Sequence, residues 1–182
     1  MPKLLSIAIA MSLITTICIP AQVLAKQKST VRNKSSNTYL RLTYKYKGRT
    51  NKQGNPVYTL EAYTNGRKYR AFKAVTGTRN TQGRNRNRAN SHAPLPDGLY
   101  KVSRTIAPGS IPEVGRTFVP IYPQFSTGRS DLGIHFDPSY NRSNGFDGTS
   151  GCIGLVDRAD RDALNQYILK YQPRKLIVRI MS

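Results

Sequence analysis

Acidic side chains are scarce in this chain. Its 182 residues include 9 Asp and Glu against 29 Lys and Arg, a formal net charge of +20. The shortage is uneven: residues 26–96 hold 17 Lys and Arg but one acid, Glu61, and the other eight acids begin at Asp97. Such a bias either serves an anionic partner, such as an envelope polymer or lipid headgroups, or simply keeps a solvated basic face soluble. Aromatics are missing from the most basic stretch, residues 79–88. Stacking on bases needs them there, so a nucleic-acid partner is not expected. Histidine and cysteine are equally sparse, with His92, His135, Cys18 and Cys152 the full set. That set lacks the spacing and the three or four ligands of a zinc centre, and no metal or cofactor is expected. No apolar run beyond the first 25 residues is long enough to cross a membrane.

The first residues read as an export signal. Lys3 is a short basic start, residues 4–19 are uncharged and mostly apolar, and Pro20 breaks the run. Val23-Leu24-Ala25 then offers a cleavage site, so residues 1–25 are expected to be a signal peptide and the protein to reach the periplasm or cell wall. Ile17 before Cys18 does not fit a lipoprotein signal. Cleavage after Ala25 leaves 157 residues, one ordinary domain, with Cys152 as its only thiol. In an oxidising compartment stabilising cysteines come in pairs. A lone one is an inert buried side chain, a bridge to another chain, or a reactive nucleophile.

Residues 26–37 are polar and basic without apolar periodicity and read as a flexible leader, so the folded domain is expected over 38–182. Leu40, Leu42, Tyr44 and Tyr46 alternate with polar residues, the period of a half-buried strand. Residues 57–63 and 67–75 read as strands joined by Asn65-Gly66, a two-residue hairpin turn. Dense in Gly, Asn, Thr and Arg, residues 77–91 read as an exposed, mobile loop. Further short strands are expected over 99–104, 118–122 and 132–136. One helix begins after Asp157 as N-cap, buries Leu164, Tyr167, Ile168 and Tyr171 as a stripe, and stops before Pro173. A last strand runs through Leu176, Val178 and Ile180. Many short strands with one late helix imply a mainly β domain, a sandwich or barrel.

Chemistry concentrates in two short segments. His135 lies in Gly133-Ile134-His135-Phe136, and Cys152 follows Gly148-Thr149-Ser150-Gly151, 17 residues further on. A thiol with a pKa of roughly 8.5 is weakly ionised at neutral pH. An imidazole within reach can take its proton and leave a nucleophile. The glycine-rich turn lets backbone N–H groups converge where the oxyanion of an attacked carbonyl forms. Against this stands the plainer possibility that Cys152, beside Ile153 and Leu155, is core filler and that His135 satisfies a core hydrogen bond. His92, before Ala93-Pro94, reads as a surface residue.

The second segment resembles the active-site motif of the L,D-transpeptidase catalytic domain, the YkuD-like family: an upstream His, then Ser or Thr, His, Gly and a nucleophilic Cys. Thr149, Gly151 and Cys152 match it, and His135 matches the upstream base. The hairpin over 58–77 ending in Val-Thr-Gly, the Pro96-Asp97-Gly98-Leu99-Tyr100 turn and the late helix extend the likeness over residues 39–180. Three positions depart from it: Ser150 stands for His, Phe136 for Gly, and Gly154 for an Arg two residues past the nucleophile.

The resemblance implies an L,D-transpeptidase-like β-sandwich or barrel with its helix near the active site. It also implies acyl transfer on peptidoglycan stem peptides, with Cys152 as nucleophile, His135 as base, and the turn of Thr149, Ser150 and Gly151 around the oxyanion. A carboxypeptidase of the same fold, with water as acceptor, and a non-catalytic basic wall-binding module are the alternatives. Arg84, Arg86 and Arg88 are the candidates for gathering anionic substrate. Asp137, Asp147 or a backbone carbonyl would orient His135.

Overall fold

The computed structural model describes residues 37–45, 48–140, 142 and 147–181. The expected signal peptide lies outside the described residues, as does the basic leader apart from Asn37. Nine strands and one α-helix follow in the order β1 (Tyr39–Thr43), β2 (Tyr58–Thr64), β3 (Arg67–Val75), β4 (Gly98–Val102), β5 (Ala107–Pro108), β6 (Thr117–Pro123), β7 (Gly133–Phe136), β8 (Ile153–Leu155), α1 (Arg158–Tyr171) and β9 (Lys175–Arg179).

The strands form a barrel. Neighbours run β4-β9-β1-β2-β3-β8-β7-β6, and β6 pairs back onto β4 to close the ring, with β5 attached along β6. Closure removes open sheet edges, which otherwise invite pairing with other chains. The β2–β3 hairpin turns at Asn65 and Gly66, whose φ angles of 53° and 77° are the left-handed pair a tight hairpin turn requires. Alternation places Leu40, Leu42, Leu60, Phe72, Val119 and Ile134 in one core, each at most 1% exposed. Helix α1 starts where Asp157 accepts the Ala159 N–H at 2.6 Å and ends at Gln172, in left-handed geometry just before Pro173. It buries Leu164, Tyr167 and Ile168 and meets the sheet at β7 and β8.

Most pairs are antiparallel, but β7 and β8 run parallel, with Ile134 opposite Ile153, His135 opposite Gly154 and Phe136 opposite Leu155. Parallel neighbours need a long connection, which residues 137–152 provide. Neither β8, three residues long, nor β5, two residues long, was expected from the sequence, because so short a run shows no alternation. The loop over 77–91 is not the free strap its composition suggests. A short 3₁₀ turn, Arg79–Thr81, buries Thr81, and Gln82 Nε2 donates to the carbonyls of Thr76 and Thr78 at 3.1 and 3.0 Å. Arg84 Nη1 donates to Ser91 O, and Arg86 donates to Pro94 O, Leu95 O and Asp97. Arg84 and Arg86, two of the charged residues that make the loop look solvated in sequence, anchor it.

Among the described residues no helix is long and apolar enough to cross a membrane.

Glu61, the one acid of the basic half, is 3% exposed. Arg41 at 2.6 Å and Lys68 at 2.5 Å pair with it, and Tyr63 Oη donates to it at 3.0 Å. Burial alone would raise its pKa, but these donors outweigh burial and hold it at about 2. A carboxylate lowered in the fold stabilises above its unfolded pKa, and that contribution is lost as pH falls towards 2. Glu61→Gln should flatten the acid limb of stability between pH 4.5 and 2 and remove on the order of 2 kcal/mol at pH 7, allowing for its solvent-exposed partners. Urea unfolding at stepped pH measures both.

Candidate active site

The β7–β8 register sets the site. With His135 opposite Gly154, Cys152 falls beside Gly133 at the entrance to the two strands. His135 faces out of the barrel next to Phe118, whose ring lies 6.3 Å away at 27°. Both Cys152 and His135 line a cavity of about 500 Å³, roofed by residues 108–114 on one side and by Ala89, Asn90 and His92 on another.

His135 is 1% exposed, and its Nδ1 lies 2.8 Å from its neighbour's carbonyl, Phe136 O. Only a protonated Nδ1 can donate there, so Nε2 carries the lone pair. That Nε2 is buried without a partner among the described residues. Asp137 and Asp147 do not orient the ring. Asp137 accepts the Ser139 and Gly148 N–H groups, and Asp147 takes the Asn55 amide. Desolvation lowers the His135 pKa against the smaller opposing pull of Phe136 O and Glu113. Desolvation likewise pushes the Cys152 thiol up to about 11, with Glu113 and Asp131 adding to it and the Gly133 N–H and Arg129 opposing. The resting pair is therefore a neutral thiol and a neutral imidazole. The Sγ–H lies 3.7 Å from Asp131 O.

The turn before the thiol is held by Thr149, 1% exposed. Its hydroxyl donates to Cys152 O at 2.7 Å and accepts the N–H groups of Gly77 and Gly151, each at 3.2 Å. The end of the Val75-Thr76-Gly77 strand thus splints the turn. Gly151 has φ 109°, and a side chain there would run into the Arg129 guanidinium and Ala93 O. Ser150 N–H donates to Glu113 Oε1 at 2.7 Å, and its hydroxyl donates to Glu113 Oε2 at 3.3 Å. His92 Nδ1 lies 3.0 Å from the same hydroxyl. His92, Ser150 and Glu113 form a row that also lines a second cavity of about 590 Å³.

His92 is exposed, as its loop position suggests, but it belongs to the site. Arg84, Arg86 and Arg88 do not line the cavity of the thiol, because the first two turn inward to carbonyl groups. Sequence reading missed Arg129 and Glu113. Arg129 is 8% exposed, and its Nη1 donates to Arg86 O, Ser91 Oγ and Ala93 O, each at 3.2 Å, while Nη2 donates to Ser150 O at 2.8 Å. It ties the Arg-rich loop to the turn before Cys152. No local pattern in the sequence distinguishes it from the other basic residues. Gly154 admits no Arg: a Cβ there would lie 2.8 Å from Thr149 Cγ2 and 2.9 Å from Asp137 Cβ. Phe136 points away from the cavity, against Gly115 and beneath Arg158.

A sequence profile of the L,D-transpeptidase catalytic domain matches residues 49–176, most of the chain and all of the elements just described except β1 and the end of β9. The chain belongs to the L,D-transpeptidase catalytic-domain family. Among solved structures it is similar to an L,D-transpeptidase from Mycobacterium smegmatis, at 15% identity and a TM-score of 0.40, over 78% of this chain and 59% of that one. The chain therefore spans less than two thirds of that relative's length. No curated protein matches it. For a member of the L,D-transpeptidase family, Ser150, Gly154 and Phe136 are departures that the packing around Glu113, Thr149 and Gly115 accommodates.

Two outcomes are expected. Iodoacetamide alkylation of Cys152 should rise tenfold per pH unit from neutrality towards pH 11, with no plateau near neutrality, because the free thiol is protonated. A rate that levels off below pH 8 would instead reveal a preformed thiolate. Arg129→Leu should remove about 3 kcal/mol by leaving buried carbonyls unsatisfied, read as a fall in thermal midpoint.

Proposed function

We propose that the protein is a cysteine acyltransferase acting on peptidoglycan stem peptides. The observation that carries this reading is the unpartnered His135 Nε2, held as a lone-pair acceptor by the Phe136 carbonyl and facing the same cavity as the chain's one described thiol. A core histidine satisfied by its fold would have no such free atom.

In the first half-reaction Nε2 takes the Cys152 proton as sulfur attacks the carbonyl between the third and fourth residues of the stem. Two neutral groups become an ion pair only as the carbon–sulfur bond forms. The resulting oxyanion falls to the amide of Cys152, since Ser150 donates to Glu113 and Gly151 to Thr149. Imidazolium then returns the proton to the leaving amine of the terminal D-amino acid, and a thioester remains. An amine on a neighbouring stem attacks the thioester, His135 accepts a proton from it, and the sulfur leaves to be reprotonated. With water as acceptor the same steps give a carboxypeptidase.

Export to the envelope, through the expected signal peptide, fits this substrate. Any part played by Arg88 and the basic half is outside the cavity, as long-range attraction to anionic wall polymers. Such attraction weakens with salt.

Protein starting at Lys26, incubated with purified disaccharide-tetrapeptide, should yield cross-linked dimers that have lost one terminal D-alanine. Cys152→Ala should yield none, and mass spectrometry reads both. Tripeptide alone would identify a carboxypeptidase. Unchanged substrate with both proteins, despite wall binding, would leave a binding module and end the enzyme reading.

A further inference from the structure

The cavity of the thiol has the wrong sign for this chain. Only nine acids face 29 Lys and Arg in the sequence, yet two of the nine, Glu113 and Asp131, line that one cavity. Arg129 is the single Lys or Arg among its lining residues, and its hydrogen bonds run to the carbonyls of Arg86, Ala93 and Ser150 and to Ser91. Neither carboxylate has an ion-pair partner among the described residues.

Both carboxylates are fixed beside the reacting groups. Glu113 rides on a short 3₁₀ turn, Pro112–Val114, and holds the Ser150 amide and hydroxyl with one oxygen each. Those donors are neutral, so neither brings a counter-charge to the carboxylate. Each oxygen also keeps a further acceptor site. Asp131 adopts a left-handed backbone, φ 54°, that turns its carbonyl to the thiol, and its Oδ2 accepts from Ser130 Oγ at 2.9 Å. Both charges oppose ionisation of Cys152. A cavity that served only to make a thiolate would exclude them.

The unpartnered atom gives the second, independent indication. His135 Nε2 is buried and can only accept, since Nδ1 donates to Phe136 O. Two carboxylates and an imidazole lone pair on one cavity suit a group that only donates and carries positive charge. An ammonium has three donors and no acceptor.

We propose that Glu113 and Asp131 form a cation subsite that receives the protonated amine of the acyl acceptor and presents it to the thioester on Cys152. This rests on the acyl-transfer reading above and deepens it by naming what selects amine over water. The amine arrives as ammonium, held by the two carboxylates. One proton leaves the ammonium for solvent by way of the carboxylates, and the freed electron pair attacks the thioester carbon. His135 Nε2 takes a second proton from the attached nitrogen, the carbon–sulfur bond breaks as the amide forms, and the sulfur regains that proton from the imidazolium.

The test uses the mature chain, Glu113→Gln, Asp131→Asn and the double variant, with disaccharide-tetrapeptide as donor. The acceptor is a stem peptide with a free side-chain amine, and its N-acetylated form is the control. Asparagine tolerates left-handed backbone, so Asp131→Asn tests the subsite even if Glu113→Gln loosens the turn. Each single variant should raise the acceptor KM roughly tenfold and shift product from dimer towards hydrolysed tripeptide. Acylation of Cys152, followed by intact-protein mass, should quicken, because charge opposing the thiolate is gone; a merely structural role would slow it. Added salt should erode the wild-type preference for amine and leave the double variant's ratio alone. An active parent whose variants keep the same acceptor KM and product ratio would overturn the subsite while the acyl-transfer reading stands. A parent that never acylates would overturn both.

Discussion

The site depends on a parallel pairing of two very short strands. β7 and β8 share only three residue pairs, and one of them sets His135 against Gly154. That register puts Cys152 beside Gly133, so the Cys152 and His135 side chains line one cavity although 17 residues separate them in sequence. A slip of one residue would turn His135 into the core and Ile134 out of it. The register is protected on both faces: Ile134, Ile153 and Leu155 are buried below, and Gly154 lies against Thr149 and Asp137 where no side chain fits. Barrel closure through the β4–β6 pairing keeps both strands from fraying at an edge.

Around this pair the protein ties its loops to the turn before Cys152 with polar side chains rather than apolar packing. Thr149 bridges the turn to the end of β3, and Arg129 bridges it to the Arg-rich loop. Glu113 bridges it to the segment between β5 and β6. Three loops distant in sequence therefore depend on backbone groups of Ser150, Gly151 and Cys152. Such ties fix the thiol's surroundings to within a hydrogen bond's tolerance.

Charge is handled in two separate ways. On the outer face Arg41 and Lys68 converge on Glu61, the one acid of the basic half. Inside the cavity the arrangement reverses, and acids are left facing solvent while the one guanidinium is turned into the frame. A basic outer face and an acid-lined cavity can then coexist in one small domain, because screening confines each to its own distance.

The sequence by itself determined the mainly β class, a sandwich or a barrel, the β2–β3 hairpin, and the helix with its cap at Asp157 and stop at Pro173. These rest on local rules: alternation, turn residues with left-handed φ, and capping, each read within a few neighbours. It did not disclose β5 or β8, whose two and three residues carry no period. Nor did it disclose the anchoring of the Arg-rich loop, since a guanidinium bound to carbonyls and one in water look alike in composition. Only the tertiary structure selected Phe136 O over Asp137 and Asp147 as the partner of His135 Nδ1, brought His92 and Glu113 onto Ser150, and ran Arg129 beneath the turn. Those contacts join residues 20 to 60 positions apart, or depend on which way a side chain leaves its strand, and no local rule fixes either.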